Sequence, residues 1–203
     1  MGELSRMDKV IEVYDFDGTV ANTVEMAINK RLPAAIRNNE LLRKGMANIS
    51  FVLGELTGAG KKEAAEMVAK GKIELNEQML GMLRRHQEAG AEIVVLTSNG
   101  HSGLIKKIMA DNGVNAAAVH CESKRKADFI KELARGNPDK RIVSVNDSIR
   151  ETFGAFTKRL RYSSVLFSGS HNSFASRIIG FLHIAEVANA ESIDSAIKRV
   201  ARA

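Results

Sequence analysis

The sequence feature that most constrains the fold is a short apolar run that recurs along the chain and ends each time in small polar residues. Four segments have this form, and turn-forming residues such as Gly, Asn, Asp and Ser follow each of them. Runs of this length and composition predict buried β-strands that end in loops. The predicted strands are 10–16, 93–96, 141–145 and 163–167.

Helical patterns lie between these strands. Apolar residues repeat at helical spacing in 104–109 and in 127–134, and Gly, Asn, Asp or Pro residues end both segments. A weaker strand is predicted at 116–120. This alternation predicts right-handed crossovers and a parallel sheet covered on both faces, which is the doubly wound α/β class. Ligands bind beyond the carboxyl ends of the strands in such sheets, so we expect the functional site where the polar residues at 15–19, 97–99 and 146–151 meet.

The stretch 22–88 interrupts the alternation of strands and helices. It contains several helical patterns and no convincing strand pattern, and we interpret it as a small helical cap inserted between the first two strands. The α/β core would then consist of 1–21 and 89–203. The alternative is a long crossover that packs flat on the sheet, although a typical crossover needs far fewer residues. The predicted helices in this stretch are 23–38, 61–70 and 73–88, and a last amphipathic helix is predicted from about residue 191.

Composition limits the classes of partner. The chain has 203 residues, 44% hydrophobic and 27% charged, which is sufficient for a hydrophobic core. The single cysteine, Cys121, cannot form an internal disulfide, and no apolar run approaches the roughly 20 residues that cross a bilayer, so we expect a cytoplasmic protein without membrane contact. The net charge of +6 favours anionic partners, but an aromatic fraction of 5% disfavours single-stranded nucleic acid. We expect a small phosphorylated metabolite as partner and a monomer or dimer.

Asp15 and Asp17 are the first candidates for chemistry. They lie two residues apart at the end of a predicted strand and are followed by Gly18. In extended backbone this spacing places both carboxylates on one face, about 6 to 7 Å apart along the chain. One carboxylate can attack an electrophile while the other exchanges a proton, and together they suit Mg²⁺. A pair of aspartates can also serve only to form a turn, and the pair alone leaves both interpretations open.

The segment 14–23, YDFDGTVANT, resembles the first motif of the haloacid dehalogenase superfamily of phosphohydrolases. The later motifs are matched in order by VVLTSNG at 94–100, by a lysine at the start of the helical segment KADFIKEL at 126–133, and by VSVNDSIRE at 143–151. The resemblance implies the α/β fold and Mg²⁺-dependent hydrolysis of a small phosphomonoester through an aspartyl-phosphate intermediate. Two alternatives use the same residues: a phosphotransferase or phosphomutase, and a catalytically weak protein that binds phosphate or nucleic acid.

Carried over residue by residue, the resemblance implies a role for each polar residue in these motifs. Asp15 would be the nucleophile, and Asp17 would protonate the leaving oxygen and later activate water. The residues implied to bind the substrate phosphate are Thr97, Ser98, Asn99 and Lys126. The residues implied to bind Mg²⁺ are Asp15, Asp17 through its backbone carbonyl, Asp147 and Glu151.

The fourth motif departs from the family pattern, and the third motif offers two candidate lysines. Asn146 stands where the family usually has Gly, and Glu151 stands where it usually has Asp, which bears on metal affinity. Lys124 and Lys126 both precede the predicted helix. We prefer Lys126, because the apolar residues that follow it have the offsets that seat a helix on the sheet. The basic run 124–126 can also be read as a solvated surface.

Overall fold

The computed structural model describes residues 4–23, 26–27, 30, 32–40, 42, 59–121, 126–148, 163–167, 186–189 and 191–202. These residues form a six-stranded sheet in the order β3-β2-β1-β4-β5-β6. Every neighbouring pair is parallel, so the predicted doubly wound α/β class is confirmed. The strands are β1 (Val10–Tyr14), β2 (Glu92–Thr97), β3 (Ala118–Cys121), β4 (Arg141–Asn146), β5 (Ser163–Phe167) and β6 (Glu186–Ala188).

Helices connect and cover these strands. A 3-10 helix, Leu4–Lys9, leads directly into β1. None of the described helices combines the length and the apolar character that crossing a bilayer requires. The α-helices, in chain order, are α1 (Ala34–Arg37), α2 (Ala59–Ala69), α3 (Glu77–Glu88), α4 (Ser102–Asp111), α5 (Lys126–Gly136) and α6 (Ile193–Arg202).

The strand β1 contacts the core on both faces of the sheet. Val10 and Tyr14 belong to the larger apolar cluster, which also contains buried side chains of α3, α4 and α6. Ile11 and Val13 belong to a second cluster, which includes Ile130 of α5. All five residues of β1 are buried, as expected for a central strand of a sheet that helices cover on both sides. The apolar run in the sequence therefore predicted β1, because both faces of this strand are covered.

The described elements between β1 and β2 are helical, but their limits differ from the prediction. The predicted single helix 23–38 is wrong, because the chain leaves helical conformation at Leu32 and Pro33, and Pro33 precedes α1. Proline lacks the N–H group for an intrahelical hydrogen bond and restricts the residue before it, which explains the interruption. The strand β6 has only three residues, and the sequence analysis missed it.

The helix α3 begins four residues later than predicted. Asn76 is its N-cap, and the Asn76 side chain accepts a hydrogen bond from the Met79 N–H at 3.1 Å. Leu80 and Leu83 of α3 are fully buried in the larger apolar cluster beside the sheet. The helix α3 therefore packs with the sheet, although it lies within the stretch 22–88. The division of the chain into a cap at 22–88 and a core of 1–21 and 89–203 stays a prediction.

We expect Leu83→Ala to lower the free energy of unfolding by about 2 to 5 kcal/mol, because it removes a large side chain that is 0% exposed. Leu104→Ala is the matched control, since Leu104 of α4 is 36% exposed, and it should change the free energy by no more than about 0.5 kcal/mol. Urea unfolding followed by circular dichroism measures both values. Equal losses in the two variants would contradict the packing of α3 on the sheet.

Candidate active site

The loop after β1 holds two aspartates in a fixed backbone conformation. The Asp15 N–H donates to the Val145 carbonyl at 2.9 Å, which extends the β1–β4 pairing by one residue. Gly18 has a φ of 81°, which L-residues with a side chain rarely adopt, and its N–H donates to the Ala21 carbonyl at 2.7 Å. The chain therefore turns sharply behind Asp17, as the glycine in the sequence predicted.

Asp15 and Lys126 form a buried ion pair. Lys126 is the first residue of α5, and its Nζ donates to Asp15 Oδ2. The two side chains are only 7% and 10% exposed, so water screens their charges weakly. The helix α5 packs on the face of β1 that carries Ile11 and Val13. Asp15 is the next residue on that face, so this packing places the start of α5 beside Asp15. Lys124, the other candidate, lies outside the described residues.

Asp17 accepts hydrogen bonds from two threonine hydroxyls. Thr23 Oγ1 donates to Asp17 Oδ1 at 2.7 Å, and Thr97 Oγ1 donates to Asp17 Oδ2 at 3.2 Å. Burial raises the pKa of Asp17, while the two hydroxyl bonds and the charge of Lys126 lower it and the charge of Asp147 raises it. The net effect is a pKa above the ordinary value of 3.8. Asp17 therefore holds a proton at higher pH than an ordinary aspartate does.

The three residues predicted to bind phosphate at the end of β2 differ in exposure and contacts. Thr97 is fully buried and uses its hydroxyl to contact Asp17, and the same oxygen accepts a hydrogen bond from the Asn99 N–H at 3.0 Å. Asn99 is also buried, and its Oδ1 accepts from the His101 N–H at 3.2 Å. Asn99 Nδ2 has no hydrogen-bond partner among the residues that the structure describes. Ser98 is exposed between these two buried residues.

The Asn99 side-chain amide is a buried hydrogen-bond donor that can bind an acceptor atom of a ligand. Leaving a buried donor unpaired costs roughly 1 to 3 kcal/mol, which an incoming acceptor such as a phosphoryl oxygen would offset. Thr19 Oγ1 is also buried and has no partner within the described part of the chain. Asn99 was predicted to bind phosphate, whereas the sequence analysis gave Thr19 no role.

Asp147 lies in the polar segment that follows β4. It is 3% exposed, and the neighbouring Asn146 and Ser148 are also buried. The charge of Asp147 raises the pKa of Asp17, so the structure brings these two carboxyl groups within electrostatic reach of each other. Glu151, the last residue predicted to bind Mg²⁺, lies outside the described residues. The polar ends of β1, β2 and β4 are thus neighbours, because these three strands are adjacent in the sheet.

The donor chemistry of this site fits a hard divalent cation. Asp15 and Asp147 supply buried carboxylates, and oxygen ligands of this kind suit Mg²⁺. Within the described ranges, no group of three or more His, Cys, Asp or Glu side chains is arranged to hold a metal ion. The predicted ligand set does not need such a group among them, because it uses the backbone carbonyl of Asp17 and includes Glu151.

Thr23 is the contact residue that the sequence analysis missed. Its hydroxyl makes the shorter of the two hydrogen bonds that the side chain of Asp17 accepts, from a position six residues along the chain. The sequence offers only a threonine shortly after the DGT segment, and the structure shows that the chain folds back between them toward Phe16. Because the turn geometry decides which hydroxyl reaches Asp17, sequence spacing alone did not identify this contact.

Comparisons with known proteins agree with this architecture. No protein-family model and no curated protein matches the sequence. A protein from Clostridium acetobutylicum described as a predicted phosphatase has a similar structure, with a TM-score of 0.60 and 14% identity over 94% of this chain and 99% of that chain. A haloacid dehalogenase-like hydrolase from Streptococcus pneumoniae gives a TM-score of 0.55 and 12% identity over 90% of this chain and 94% of that chain. The chain therefore has the fold of haloacid dehalogenase-like proteins, as the sequence motifs implied.

We expect Asp17→Asn to raise the melting temperature at pH 7. Because the pKa of Asp17 is raised in the folded protein, its ionised form opposes folding above that pKa, and a neutral amide removes this cost. The gain should disappear as the pH falls below 3.8, where Asp17 is protonated in both the folded and the unfolded chain. Thermal unfolding between pH 3 and pH 7 measures the effect.

Asp111→Asn is the control for this experiment. Asp111 is an exposed aspartate at the end of α4 that pairs with Lys107, and its replacement should leave the melting temperature nearly unchanged at pH 7. A melting temperature of Asp17→Asn below that of the wild type at pH 7 would show that burial does not penalise the Asp17 charge.

Proposed function

We propose that the chain is a phosphatase that hydrolyses a small phosphomonoester, with Asp15 as the nucleophile and Asp17 as the general acid and base. The observation that carries this proposal is the contrast between two carboxyl groups at one strand end. Asp15 is paired with the Lys126 ammonium, whereas Asp17 has a raised pKa. A nucleophilic carboxylate must be ionised and a general acid must hold a proton, so the two environments match the two roles.

In the first step, a carboxylate oxygen of Asp15 forms a bond to phosphorus as the bond between phosphorus and the leaving oxygen breaks. Asp17 gives its proton to the leaving oxygen, so the product departs as a neutral alcohol. The Thr23 and Thr97 hydroxyls donate to the two oxygens of the Asp17 side chain and thereby fix the orientation of its carboxyl group. The result of this step is a phosphoryl group on Asp15 and an ionised Asp17.

In the second step, Asp17 accepts a proton from a water molecule whose oxygen attacks phosphorus. The bond between phosphorus and Asp15 breaks, inorganic phosphate leaves, and the Asp15 carboxylate is restored. Asp17 has then recovered the proton that it gave away, so one water molecule is consumed in each cycle. The same residue serves as acid and base because each step leaves it in the protonation state that the other step requires.

Charge is the main obstacle to the first step, since an anionic carboxylate must approach an anionic phosphate. Lys126 offsets the charge of Asp15 from within a buried contact, where the interaction is screened less than at the surface. Asn99 Nδ2 is a buried donor at the same edge of the sheet and can bind a phosphoryl oxygen. These groups favour a phosphate group over a neutral ligand at this position.

We also propose that the site uses Mg²⁺. The residues that would hold the ion are Asp15, Asp17 through its backbone carbonyl, Asp147 and Glu151. When bound, Mg²⁺ would offset the negative charge shared by the carboxylates and the phosphate. The electrostatic effect of Asp147 on Asp17 supports this assignment, because a cation between neighbouring carboxyl groups relieves their repulsion.

We expect the protein to release p-nitrophenol from p-nitrophenyl phosphate in the presence of Mg²⁺, and EDTA to suppress the release. Asp15→Asn should lower the rate by at least about 10³-fold, because an amide cannot take up the phosphoryl group. Asp111→Asn serves as the matched control and should keep the wild-type rate. A near-normal rate in Asp15→Asn would exclude the proposed nucleophile.

The class of substrate can be identified with a panel of phosphorylated sugars, nucleotides and carboxylic acids. The release of inorganic phosphate is measured for each compound. Release of phosphate from one chemical group of the panel supports hydrolysis and names the substrate class. Formation of an isomeric sugar phosphate without free phosphate would identify a phosphomutase instead. Failure to transform any compound, together with binding of phosphate, would favour the catalytically weak alternative.

We expect Asp17→Asn to distinguish good leaving groups from poor ones. The variant keeps the nucleophile but removes the proton donor, so hydrolysis of an alkyl phosphate should fall by about 10² to 10⁴-fold. Hydrolysis of an aryl phosphate should fall less, because a phenolate needs little protonation. The measurement is kcat/KM for both substrates in wild type and variant, and equal losses would contradict the assigned role of Asp17.

A further inference from the structure

A second cluster of ionisable side chains lies on the face of β1 opposite Asp15. Glu12 of β1 is 0% exposed, and the Tyr14 hydroxyl donates to Glu12 Oε2 at 2.6 Å. His86 of α3 lies between two carboxylates: its Nδ1 is 2.8 Å from Glu12 Oε1, and its Nε2 is 2.8 Å from Asp194 Oδ1 of α6. One imidazole ring therefore joins the central strand to two helices.

The two contacts of His86 determine how many protons His86, Glu12 and Asp194 share. A neutral imidazole has one N–H donor, while carboxylate oxygens only accept hydrogen bonds. Two contacts of 2.8 Å to two carboxylates therefore require either a proton on both ring nitrogens or a proton on one carboxyl group. The question is which of the three groups holds the additional proton.

The surroundings of the two carboxylates favour a proton on His86. Lys198 Nζ lies 3.0 Å from Asp194 Oδ1, and Arg85 Nη2 lies 3.8 Å from Asp194 Oδ2, so two cations stabilise the ionised form of Asp194. Burial raises the pKa of Asp194, but its hydrogen bonds to His86 and Lys198 bring the net pKa below the ordinary value of 3.8. Glu12 Oε2 accepts a hydrogen bond from the Tyr14 hydroxyl, which also stabilises the ionised form of Glu12.

We infer that His86 is a proton-held clasp, in which an imidazolium joins Glu12 of β1 to Asp194 of α6 and keeps both α3 and α6 docked on the sheet. Loss of the proton leaves one ring nitrogen facing a carboxylate as a second acceptor. The docking of the two helices then weakens as the pH rises. This inference does not rest on the proposed enzymatic activity.

The helix α3 connects the clasp to the candidate active site. The Asn76 N–H, at the start of α3, donates to the Val20 carbonyl at 2.9 Å, and the Asn22 N–H donates to the Glu74 carbonyl at 2.8 Å. The segment before α3 thus pairs with the loop that follows Asp17. His86 lies near the other end of the same helix, so the clasp and the loop contact opposite ends of α3.

The direction of the pH dependence follows from the pKa of His86. Burial, the largest single influence, lowers the pKa, but the hydrogen bonds and charges of Glu12 and Asp194 outweigh it and leave the pKa above 6.5. A group whose pKa is raised on folding contributes its full stabilisation below the unfolded pKa. That stabilisation is lost as the pH rises through the folded pKa. The free energy of unfolding should therefore fall with rising pH above 6.5.

The test is an NMR titration of the histidine rings in the folded wild-type protein, with His86 assigned from the spectrum of His86→Gln. We expect both ring nitrogens of His86 to carry protons at pH 6.5 and the ring to titrate above that pH. Asp194→Asn removes one anion from a side chain that is 31% exposed, so the variant should fold and His86 should titrate at lower pH. A neutral His86 ring at pH 6.5, or an unchanged titration in Asp194→Asn, would overturn the clasp.

Unfolding measurements provide a second readout. The melting temperature of the wild type should fall more steeply between pH 6.5 and pH 8.5 than that of His86→Gln, because glutamine has no titrating proton. His101→Gln makes the same substitution at an exposed histidine and should keep the wild-type slope. If His86→Gln does not fold, the comparison is made with Asp194→Asn, whose slope should be shallower than that of the wild type. Identical slopes in wild type and variant would contradict the inference.

Discussion

The buried ion pair between Lys126 and Asp15 is the contact on which the geometry of the candidate active site depends. Each charge would be costly in this position without the other, since removal of one partner from a buried pair leaves an uncompensated charge. Lys126 is the first residue of α5, so the pair fixes the start of this helix against the end of β1. The packing of α5 therefore determines the position of the Asp15 side chain, the candidate nucleophile.

The two aspartates show how one strand end can provide different chemistry two residues apart. Asp15 contacts an ammonium group. Burial and the nearby Asp147 raise the pKa of Asp17, and they outweigh two hydroxyl hydrogen bonds and the charge of Lys126, which lower it. Environments that favour ionisation of one carboxyl group and protonation of its neighbour are typical of acid–base catalysis. The turn at Gly18 contributes to this contrast, because the chain folds back after it and Thr23 reaches the side chain of Asp17.

The sequence predicted the residues that lie at strand ends better than it predicted the contacts made across the fold. Asp15, Thr97 and Asp147 follow apolar runs, and parallel strands bring such positions to one edge of the sheet. The contact of Thr23 with Asp17 depends on the path of a turn, which no periodic pattern encodes. The role of His86 depends on a partner 74 residues away, so local spacing could not identify it. One signal was present: a glutamate within the apolar run VIEVY requires a buried partner.

The position of β1 explains why one strand can carry both sets of ionisable groups. Its residues alternate between the two faces of the sheet, so Glu12 contacts His86 of α3 on one face while Asp15 contacts α5 on the other. His86 in turn contacts Asp194 of α6. A shift of one residue in the register would exchange these faces and bury each charge against the wrong helix. Parallel pairing with β2 on one side and β4 on the other opposes such a shift, and the bond from the Asp15 N–H to Val145 extends that pairing to the nucleophilic candidate itself. The candidate site therefore lies at the end of a strand that is buried throughout and paired on both sides, which holds its backbone in place.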